Sequence, residues 1–417
     1  MPLITRLYVP SAFGIYSAFT NLVTLFSAIA CLRYDFALPV SRDGKERLTL
    51  LWLCLLITPI TALVVAALVG GFRSFAPSLP LISSVGPIAW FIPLGAATMG
   101  INNAGTYWAI AEKEFRAVAF SSVYQAVGMN IFQLAGGLTA AVAPTLAIGA
   151  VVGQAVGIVP LYRLMRQRAP SWPREERLEP AASVARAYKK FPLLTSWSSL
   201  LNTASLTFPS LALLSLYGAS VNGYYALAYG VISRPMGLVV SSIMPVYISR
   251  AAELAANDVR DLKKLYYSLL TRLSAASICA TPLILLFPWV FKFVFGRSYA
   301  DAGLYAALLG ITGLLNLIAN STNGLIVLGY NAWMSVWEAS RLFLLVGALY
   351  TCHAIHRSAM EAVLAVSVVL GVFYAILIVM NIVMLNRLHA ARKIPTPQEA
   401  FLIGEMEAAV ELEGVEL

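Results

Sequence analysis

The hydrophobic positions of this chain fall into eleven long apolar stretches separated by short polar or charged segments. They lie at residues 12–32, 48–70, 81–103, 117–138, 142–162, 196–217, 223–248, 271–294, 304–328, 333–353 and 360–385. An α-helix needs about 20 mostly apolar residues to cross the hydrocarbon core of a bilayer, because each residue adds about 1.5 Å. The pattern therefore predicts eleven membrane-spanning helices in an all-α polytopic membrane protein.

Composition also indicates a protein that works inside a membrane. Hydrophobic residues make up 59% and charged residues 12% of the 417 residues, whereas soluble domains carry about 25% charged residues. The formal net charge of +9 does not indicate nucleic-acid binding, because the basic residues lie in short loops between the apolar stretches. We therefore expect the lipid bilayer, and no nucleic acid, as a partner.

The polar segments contain no motif typical of an enzyme. They are too short to fold as a separate catalytic domain, and no Walker A motif indicates nucleotide hydrolysis. His353 and His356 lie beside Cys352, but no cluster of acidic residues accompanies them, which disfavours a metal site. We expect a protein that is not an enzyme and needs neither a metal nor another cofactor.

The distribution of basic residues predicts the orientation in the membrane. Counted together with the adjoining span ends, alternate loops hold 22 of the 29 lysines and arginines, the remaining loops hold five, and two lie deep inside spans. Basic residues of short loops are retained on the cytoplasmic side. This asymmetry predicts an N-terminus outside and a C-terminus in the cytoplasm.

The chain is divided by a charged, proline-containing segment that cannot cross a membrane. We predict an N-terminal bundle of five spans at 1–165, a cytoplasmic basic linker at 166–190, a C-terminal bundle of six spans at 191–390 and an acidic cytoplasmic tail at 391–417. Transporters are often built from two repeats with the substrate site between them. The pattern thus favours two transmembrane helical bundles around a central cavity.

Several short motifs follow one another in a characteristic order. The segment after the first span reads RYDFALP at 33–39, AYKKFPL follows at 187–193, GYYA at 223–226 and FGRSY at 295–299. In this order they resemble bacterial polysaccharide exporters, which carry an RYExAIxLP signature. These are O-antigen-type lipid-linked oligosaccharide flippases of the multidrug/oligosaccharidyl-lipid/polysaccharide exporter superfamily.

The resemblance also implies a difference in the number of helices. Members of that family usually have twelve helices, and one span precedes the segment that resembles ITRLYVP at 4–10. Here this segment begins the chain, so we expect that the first helix of the family is missing. The basic residues predict an N-terminus outside without use of the family, which agrees with this expectation.

The resemblance implies a transport function. The expected activity is flipping of an undecaprenyl-diphosphate-linked oligosaccharide from the cytoplasmic to the outer leaflet of the bacterial inner membrane. Alternating access would serve the synthesis of surface polysaccharide such as the O-antigen of lipopolysaccharide. A proton or sodium ion and a polysaccharide polymerase with other assembly proteins are further implied partners. An ion-coupled multidrug or organic-cation exporter of the same superfamily is the alternative, and a non-transporting membrane scaffold is a third.

Two arginines inside spans are the strongest candidates for substrate binding. A charge at the centre of a span costs about 2.5–3.5 kcal/mol on insertion scales, so each retained charge needs a reason. The guanidinium groups of Arg234 and Arg341 could bind a diphosphate through paired hydrogen bonds. Alternatively, Arg234 pairs with a carboxylate or with a carbonyl freed by Pro235. Arg341 could form a structural pair with Glu338, or both could line a cavity in which the glutamate takes up a proton.

Other candidates lie at a helix end and on polar faces of spans. Arg33 and Asp35 are a candidate gating pair, although Arg33 alone could simply anchor the end of its helix. Asn316, Asn320 and Gln125 could bind sugar hydroxyls. Alternatively, such side chains form helix-to-helix hydrogen bonds, which contribute about 0.6 kcal/mol each in membranes.

A glycine row in the span at 142–162 indicates close helix packing. Gly149, Gly153 and Gly157 recur at every fourth position, and therefore share one face of the predicted helix.

Overall fold

The computed structural model describes residues 2–78, 80–168, 180–257, 259–325 and 331–391. Within these ranges the regular structure is helical, without a β-strand, so the all-α prediction is confirmed. The helices form two compact units, and the boundary between the units lies between Ala226 and Leu227.

The first unit consists of the helices that precede this boundary. They are α1 (Pro2–Leu7), α2 (Pro10–Ser27), α3 (Gly44–Phe75), α4 (Pro80–Val85), α5 (Ile92–Ala111), α6 (Phe115–Thr139), α7 (Ala143–Arg168), α8 (Ala181–Ala187), α9 (Ser196–Tyr217) and the first turns of α10 (Ala219–Asn257). Short 3₁₀ helices at Tyr34–Val40 and Gly86–Phe91 and a π-helical turn at Phe191–Thr195 connect them.

The second unit begins inside α10 and contains the helices that follow. They are α11 (Val259–Leu285), α12 (Phe287–Val294), α13 (Ala302–Ser321), α14 (Asn331–Ala354) and α15 (Ala359–Ala391). In this unit α15 packs against α13, α14 and α11, and α12 packs against α13.

Eight helical segments in the described ranges are long and apolar enough to cross a membrane. They are Gly44–Phe75, Ser83–Ala111, Ala143–Arg168, Phe191–Tyr217, Ala219–Leu254, Val259–Leu285, Ala302–Ser321 and Ala359–Arg387. The other three predicted spans, at 12–32, 117–138 and 333–353, also form helices, namely α2, α6 and α14. These three helices contain serine, threonine, asparagine or charged residues, and are therefore less apolar than the eight segments above.

The start of α3 is fixed by its own polar side chains. The carboxylate of Asp43 accepts a hydrogen bond from the backbone N–H of Glu46 at 2.8 Å. The Glu46 carboxylate in turn accepts one from the backbone N–H of Arg42 at 2.7 Å. This reciprocal arrangement is a form of the capping box, which satisfies N–H groups that the first helical turn leaves without partners.

Helix α2 packs closely against the first turns of α10. A Cβ atom at Gly14 would lie 1.9 Å from the carbonyl oxygen of Ala219, and one at Gly223 would lie 2.0 Å from the carbonyl oxygen of Pro10. The buried amide of Asn222 donates a hydrogen bond to the Gly14 carbonyl at 2.7 Å. Only glycine allows the two backbones to approach so closely, and Asn222 ties them together.

The predicted glycine row has the packing role expected for it. A Cβ atom at Gly149 would lie 2.6 Å from the side chain of Gln133, and one at Gly153 would lie 2.6 Å from that of Met129. Both contacts are with α6, so the row lets α6 and α7 pack closely.

The compact units divide the chain at a different place from the charged segment. Helix α9 packs against α2 and α4 and thus belongs to the first unit, although its residues follow the predicted linker at 166–190. Residues 169–179 of that linker and 392–417 of the predicted tail lie outside the described residues, as does the end of the predicted span at 304–328.

Candidate functional site

Arg341 is a buried cation on α14 in the second unit. It is 4% exposed, and its guanidinium carbon lies 4.6 Å from the centre of the Trp337 ring. The indole N–H of Trp337 donates to the backbone carbonyl of Phe373 on α15 at 3.1 Å. The ring is thus held in place, and a cation over a desolvated indole gains about 2 kcal/mol.

Acidic and phenolic groups of the same unit surround this arginine. Arg341 interacts electrostatically with Tyr374 on α15, with Glu338 one turn earlier on α14 and with Tyr229 on α10. Glu338 is itself only 9% exposed. We call Arg341, Trp337, Glu338 and Tyr374 the Arg341 cluster. It combines one guanidinium and one carboxyl group with aromatic side chains.

Two of the predicted polar residues extend this cluster along α13. The amide of Asn316 donates to the hydroxyl of Tyr374 at 3.0 Å, and the amide of Asn320 donates to the side-chain oxygen of Asn316 at 2.5 Å. Asn316 therefore links α13 to α15. Such a hydrogen bond between helices is the alternative to sugar binding that the sequence suggested for this side chain. Asn320 is only partly buried, so its side chain can form hydrogen bonds with other partners.

The remaining two substrate candidates lie elsewhere. Arg234 is exposed on α10, one residue before Pro235. Within the described part of the chain it takes part in no hydrogen bond or ion pair. The pairing with a carboxylate or a freed carbonyl, which was the alternative to substrate binding, is therefore not seen among the described residues. Gln125 is half-buried on α6 in the first unit, whereas Arg234 and Arg341 belong to the second.

An apolar groove runs along α14 and α15. No polar surface contributes to its lining, which consists of Trp333, Val372, Ala375, Ile376, Val379, Met380, Val383 and Met384. Trp333 lies one helical turn before Trp337, so the groove and the Arg341 cluster share the same two helices. This pair of helices therefore offers a charged, hydrogen-bonding region next to a purely hydrocarbon-like one.

The candidate pair of the first unit, Arg33 and Asp35, lies in a strained turn. Leu32 and Arg33 have φ angles of 47° and 58°, in the left-handed region that is costly for side-chain-bearing residues. Arg33 Nη1 lies 3.9 Å from Asp35 Oδ2, and the guanidinium carbon lies 4.5 Å from the centre of the Phe36 ring. Asp35 is 3% exposed. Burial raises the pKa of Asp35, and Arg33 and neighbouring backbone N–H groups offset this effect only partly.

Two motifs that are far apart in sequence meet around this turn. The hydroxyl of Tyr34 donates to the carbonyl of Ala185 at 3.1 Å, and the hydroxyl of Tyr188 donates to the Glu46 carboxylate at 2.9 Å. Burial and the Glu46 hydrogen bond raise the pKa of Tyr188 to about 12. Sequence reasoning missed Glu46, although its position three residues after Asp43 at a helix start is a recognisable signal.

The described residues were also compared with the side-chain groups that bind metal ions. No group of three or more histidine, cysteine, aspartate or glutamate side chains in the described ranges could hold a metal ion.

A family profile described as "Polysaccharide biosynthesis protein" matches residues 3–304 of the chain. A search of curated protein sequences found no match.

Solved transporter structures share the fold. An inward-facing multidrug resistance MATE family transporter of the MOP superfamily is 13% identical, with a TM-score of 0.73 and coverage of 94% of this chain and 96% of that one. The lipid II flippase MurJ in an inward closed conformation is 13% identical, with a TM-score of 0.66 and coverage of 99% and 96%. A MOP superfamily transporter from Pyrococcus furiosus is 14% identical, with a TM-score of 0.52 and coverage of 93% and 88%.

Proposed function

Since the chain belongs to the polysaccharide biosynthesis protein family, we propose that it flips a lipid-linked oligosaccharide across the bacterial inner membrane. The family and the transporter fold together support a multi-pass membrane transporter. The proposed substrate is an undecaprenyl-diphosphate-linked repeat unit of a surface polysaccharide such as the O-antigen, moved from the cytoplasmic to the outer leaflet. The C-terminus lies in the cytoplasm, as the basic loops predict.

The single observation that carries the substrate class is the Arg341 cluster beside an apolar groove. A diphosphate needs a cation that stays charged, and a guanidinium offers a planar pair of donors to its oxygens. A polyprenyl chain needs a hydrocarbon surface, which the groove of α14 and α15 supplies with adaptable Met380 and Met384 side chains. One helix pair thus matches both parts of an anionic lipid.

Loss of the gene tests this substrate class. We expect lipid-linked repeat units to accumulate on the cytoplasmic leaflet and the surface polysaccharide to disappear, because a polar glycan does not cross the hydrocarbon core unaided. Leaflet-specific labelling of the repeat unit and gel analysis of the polysaccharide measure the two effects, and a plasmid copy should reverse both. Unchanged polysaccharide together with sensitivity to organic cations would instead favour the multidrug exporter.

Arg234 is proposed to contact the diphosphate during the transport cycle. Its guanidinium is exposed within a membrane-spanning helix, where a charge is costly unless it faces water or an anion. We expect Arg234→Ala to export very little and Arg234→Lys to retain part of the rate, since lysine keeps the charge but not the planar fork. Export is measured per amount of protein in the membrane. An Arg234→Ala variant that accumulates normally and exports at the unmutated rate would remove this residue from the site.

A further inference from the structure

Three helices of the first unit are joined by polar side chains near their middles. The amide of Asn102 on α5 donates a hydrogen bond to the side-chain oxygen of Gln154 on α7 at 3.1 Å. The side-chain oxygen of Asn102 accepts one from the hydroxyl of Ser121 on α6, also at 3.1 Å. This hydroxyl lies 2.6 Å from the carbonyl oxygen of Gly157 on α7 as well. Asn102 and Ser121 are buried, so they hold α5, α6 and α7 together.

Two glutamines at the same place keep polar groups that these bonds do not use. Gln125 lies one helical turn after Ser121, and a Cβ atom at Gly157 would lie 3.1 Å from Cβ of Gln125 and 3.2 Å from Nδ2 of Asn102. Gln125 is half-buried, and its amide makes no hydrogen bond among the described residues. Gln154 is half-buried too, and within the same ranges it accepts the bond from Asn102 but donates none. We call Asn102, Ser121, Gln125 and Gln154 the amide cluster.

The amide cluster lies at membrane depth. Asn102 belongs to Ser83–Ala111 and Gln154 to Ala143–Arg168, two segments that are long and apolar enough to cross a membrane. Gln125 lies on α6, which packs along α7. An amide without a hydrogen bond is strongly unfavourable in hydrocarbon, so polar side chains at this depth face the bundle interior, water or a polar ligand. The unused groups of the two glutamines therefore indicate a polar occupant.

We propose that the amide cluster binds the glycan of the lipid-linked substrate, with Gln125 and Gln154 hydrogen-bonded to sugar hydroxyls. This inference rests on the proposed transport function and names the part of the substrate that the first unit recognises. A carboxamide has both N–H donors and an oxygen acceptor, and a hydroxyl group likewise donates and accepts. Asn102 and Ser121 are positioning residues, because they fix the helices that carry the two glutamines.

Other classes of ligand match the amide cluster less well. The four side chains contain no ionisable group, so they supply no opposite charge for an organic cation or for a phosphate. A hard metal cation needs several oxygen ligands, whereas the oxygens of Asn102 and Gln154 already accept hydrogen bonds within the cluster. An uncharged ligand rich in hydroxyl groups uses the free donors and acceptors without leaving a charge in the membrane.

Saturation-transfer NMR on the full-length protein in lipid nanodiscs tests sugar binding directly. The probe is an oligosaccharide prepared by partial hydrolysis of the surface polysaccharide of the same strain. A neutral hydrogen bond changes affinity about 2- to 10-fold, so Gln125→Leu and Gln154→Leu should each weaken binding by about this factor, and the double variant by more. Gln167→Leu, at an exposed glutamine of α7, should bind normally. No transfer to the unmutated protein, or undiminished transfer to the double variant, overturns the proposal.

Thermal melting distinguishes sugar binding from a structural role. Gln125→Leu should melt at the unmutated temperature or above it, because its amide has no hydrogen bond to lose among the described residues. Asn102→Leu should melt lower, since it removes the bonds that join α5 to α6 and α7. A Gln125→Leu variant that is destabilised as much as Asn102→Leu would show a structural role and overturn the proposal. If the double variant does not fold, the affinity of Gln125→Leu for the oligosaccharide decides.

Two lipids separate this inference from the proposed function. The double variant Gln125→Leu with Gln154→Leu should bind the lipid-linked repeat unit about 10-fold or more weakly, but bare undecaprenyl diphosphate, which has no glycan, as well as the unmutated protein does. Equal loss for both lipids, or no loss for the lipid-linked unit, overturns the role of the amide cluster and leaves the proposed function standing. If the unmutated protein binds neither lipid but binds the free oligosaccharide through the two glutamines, sugar binding is supported and the proposed lipid-linked substrate is wrong.

Discussion

Replacement of Arg341 by methionine is expected to abolish export and to lower the amount of folded protein. The guanidinium lies buried over Trp337 and interacts with Glu338, which is also buried. Removing one member of a buried charged pair costs about 3–5 kcal/mol, because the other charge is left without compensation. The single variant therefore mixes a folding effect with a binding effect.

A double variant separates the two effects. Arg341→Met with Glu338→Gln removes both charges, so folded protein should recover even though the cation is missing. If Arg341 binds the diphosphate, the double variant accumulates normally but exports nothing. Thermal melting of the purified protein and surface polysaccharide measure the two properties, and Arg272→Ala, at an exposed arginine on α11, is the control. Normal export by the double variant would show that Arg341 serves only to pair with Glu338.

Replacement of Gly223 by alanine is expected to separate α2 from the start of α10 and to prevent stable folding of the first unit. The added methyl group would lie 2.0 Å from the carbonyl oxygen of Pro10 and 2.8 Å from its carbon. Both atoms are backbone, so relief requires a shift of a whole helix. Overpacking of a core costs about 1–3 kcal/mol, and we expect the upper end of this range or more because the Asn222 hydrogen bond is lost as well.

The same helix offers a matched control. Gly230 lies seven residues later in α10, and nothing lies within 4 Å of a Cβ built there. Gly230→Ala should leave stability unchanged or raise it by about 0.5–1 kcal/mol, since alanine is the better helix former. Thermal melting and the yield of monodisperse protein in detergent compare the two variants. Equal yields and melting temperatures would contradict the close packing of α2 and α10.

The length and apolar character of a segment predict much of this fold. Helices α3, α7 and α15 match the predicted spans 48–70, 142–162 and 360–385, with the start of α7 one residue later than predicted, because lipid-facing and buried residues are both apolar there. The short helices α1 and α8 and the 3₁₀ helix at Tyr34–Val40 were not predicted. Their few residues carry no period that distinguishes them from a loop.

The burial and the long-range contacts of the candidate site residues could not be predicted from the sequence. Arg234 and Arg341 are each the single arginine of a predicted apolar stretch, and Glu338 near Arg341 is the one sequence feature that separates them. The structure buries Arg341 over an indole and leaves Arg234 exposed, because burial depends on which face of the helix meets a neighbour. The bond between Tyr188 and Glu46 joins residues 142 positions apart, a distance that no local pattern reveals.

The attachment of α9 and the first turns of α10 to α2 limits where two homologous chains can be recombined. Ser210 on α9 donates to Asn222 at 2.7 Å, and Asn222 donates to Gly14 on α2. A chimera joined in the linker at 166–190 would take α2 from one parent and these partners from the other. A junction after Ala226 keeps the Gly14, Asn222 and Ser210 set within one parent, and is the better place to exchange halves.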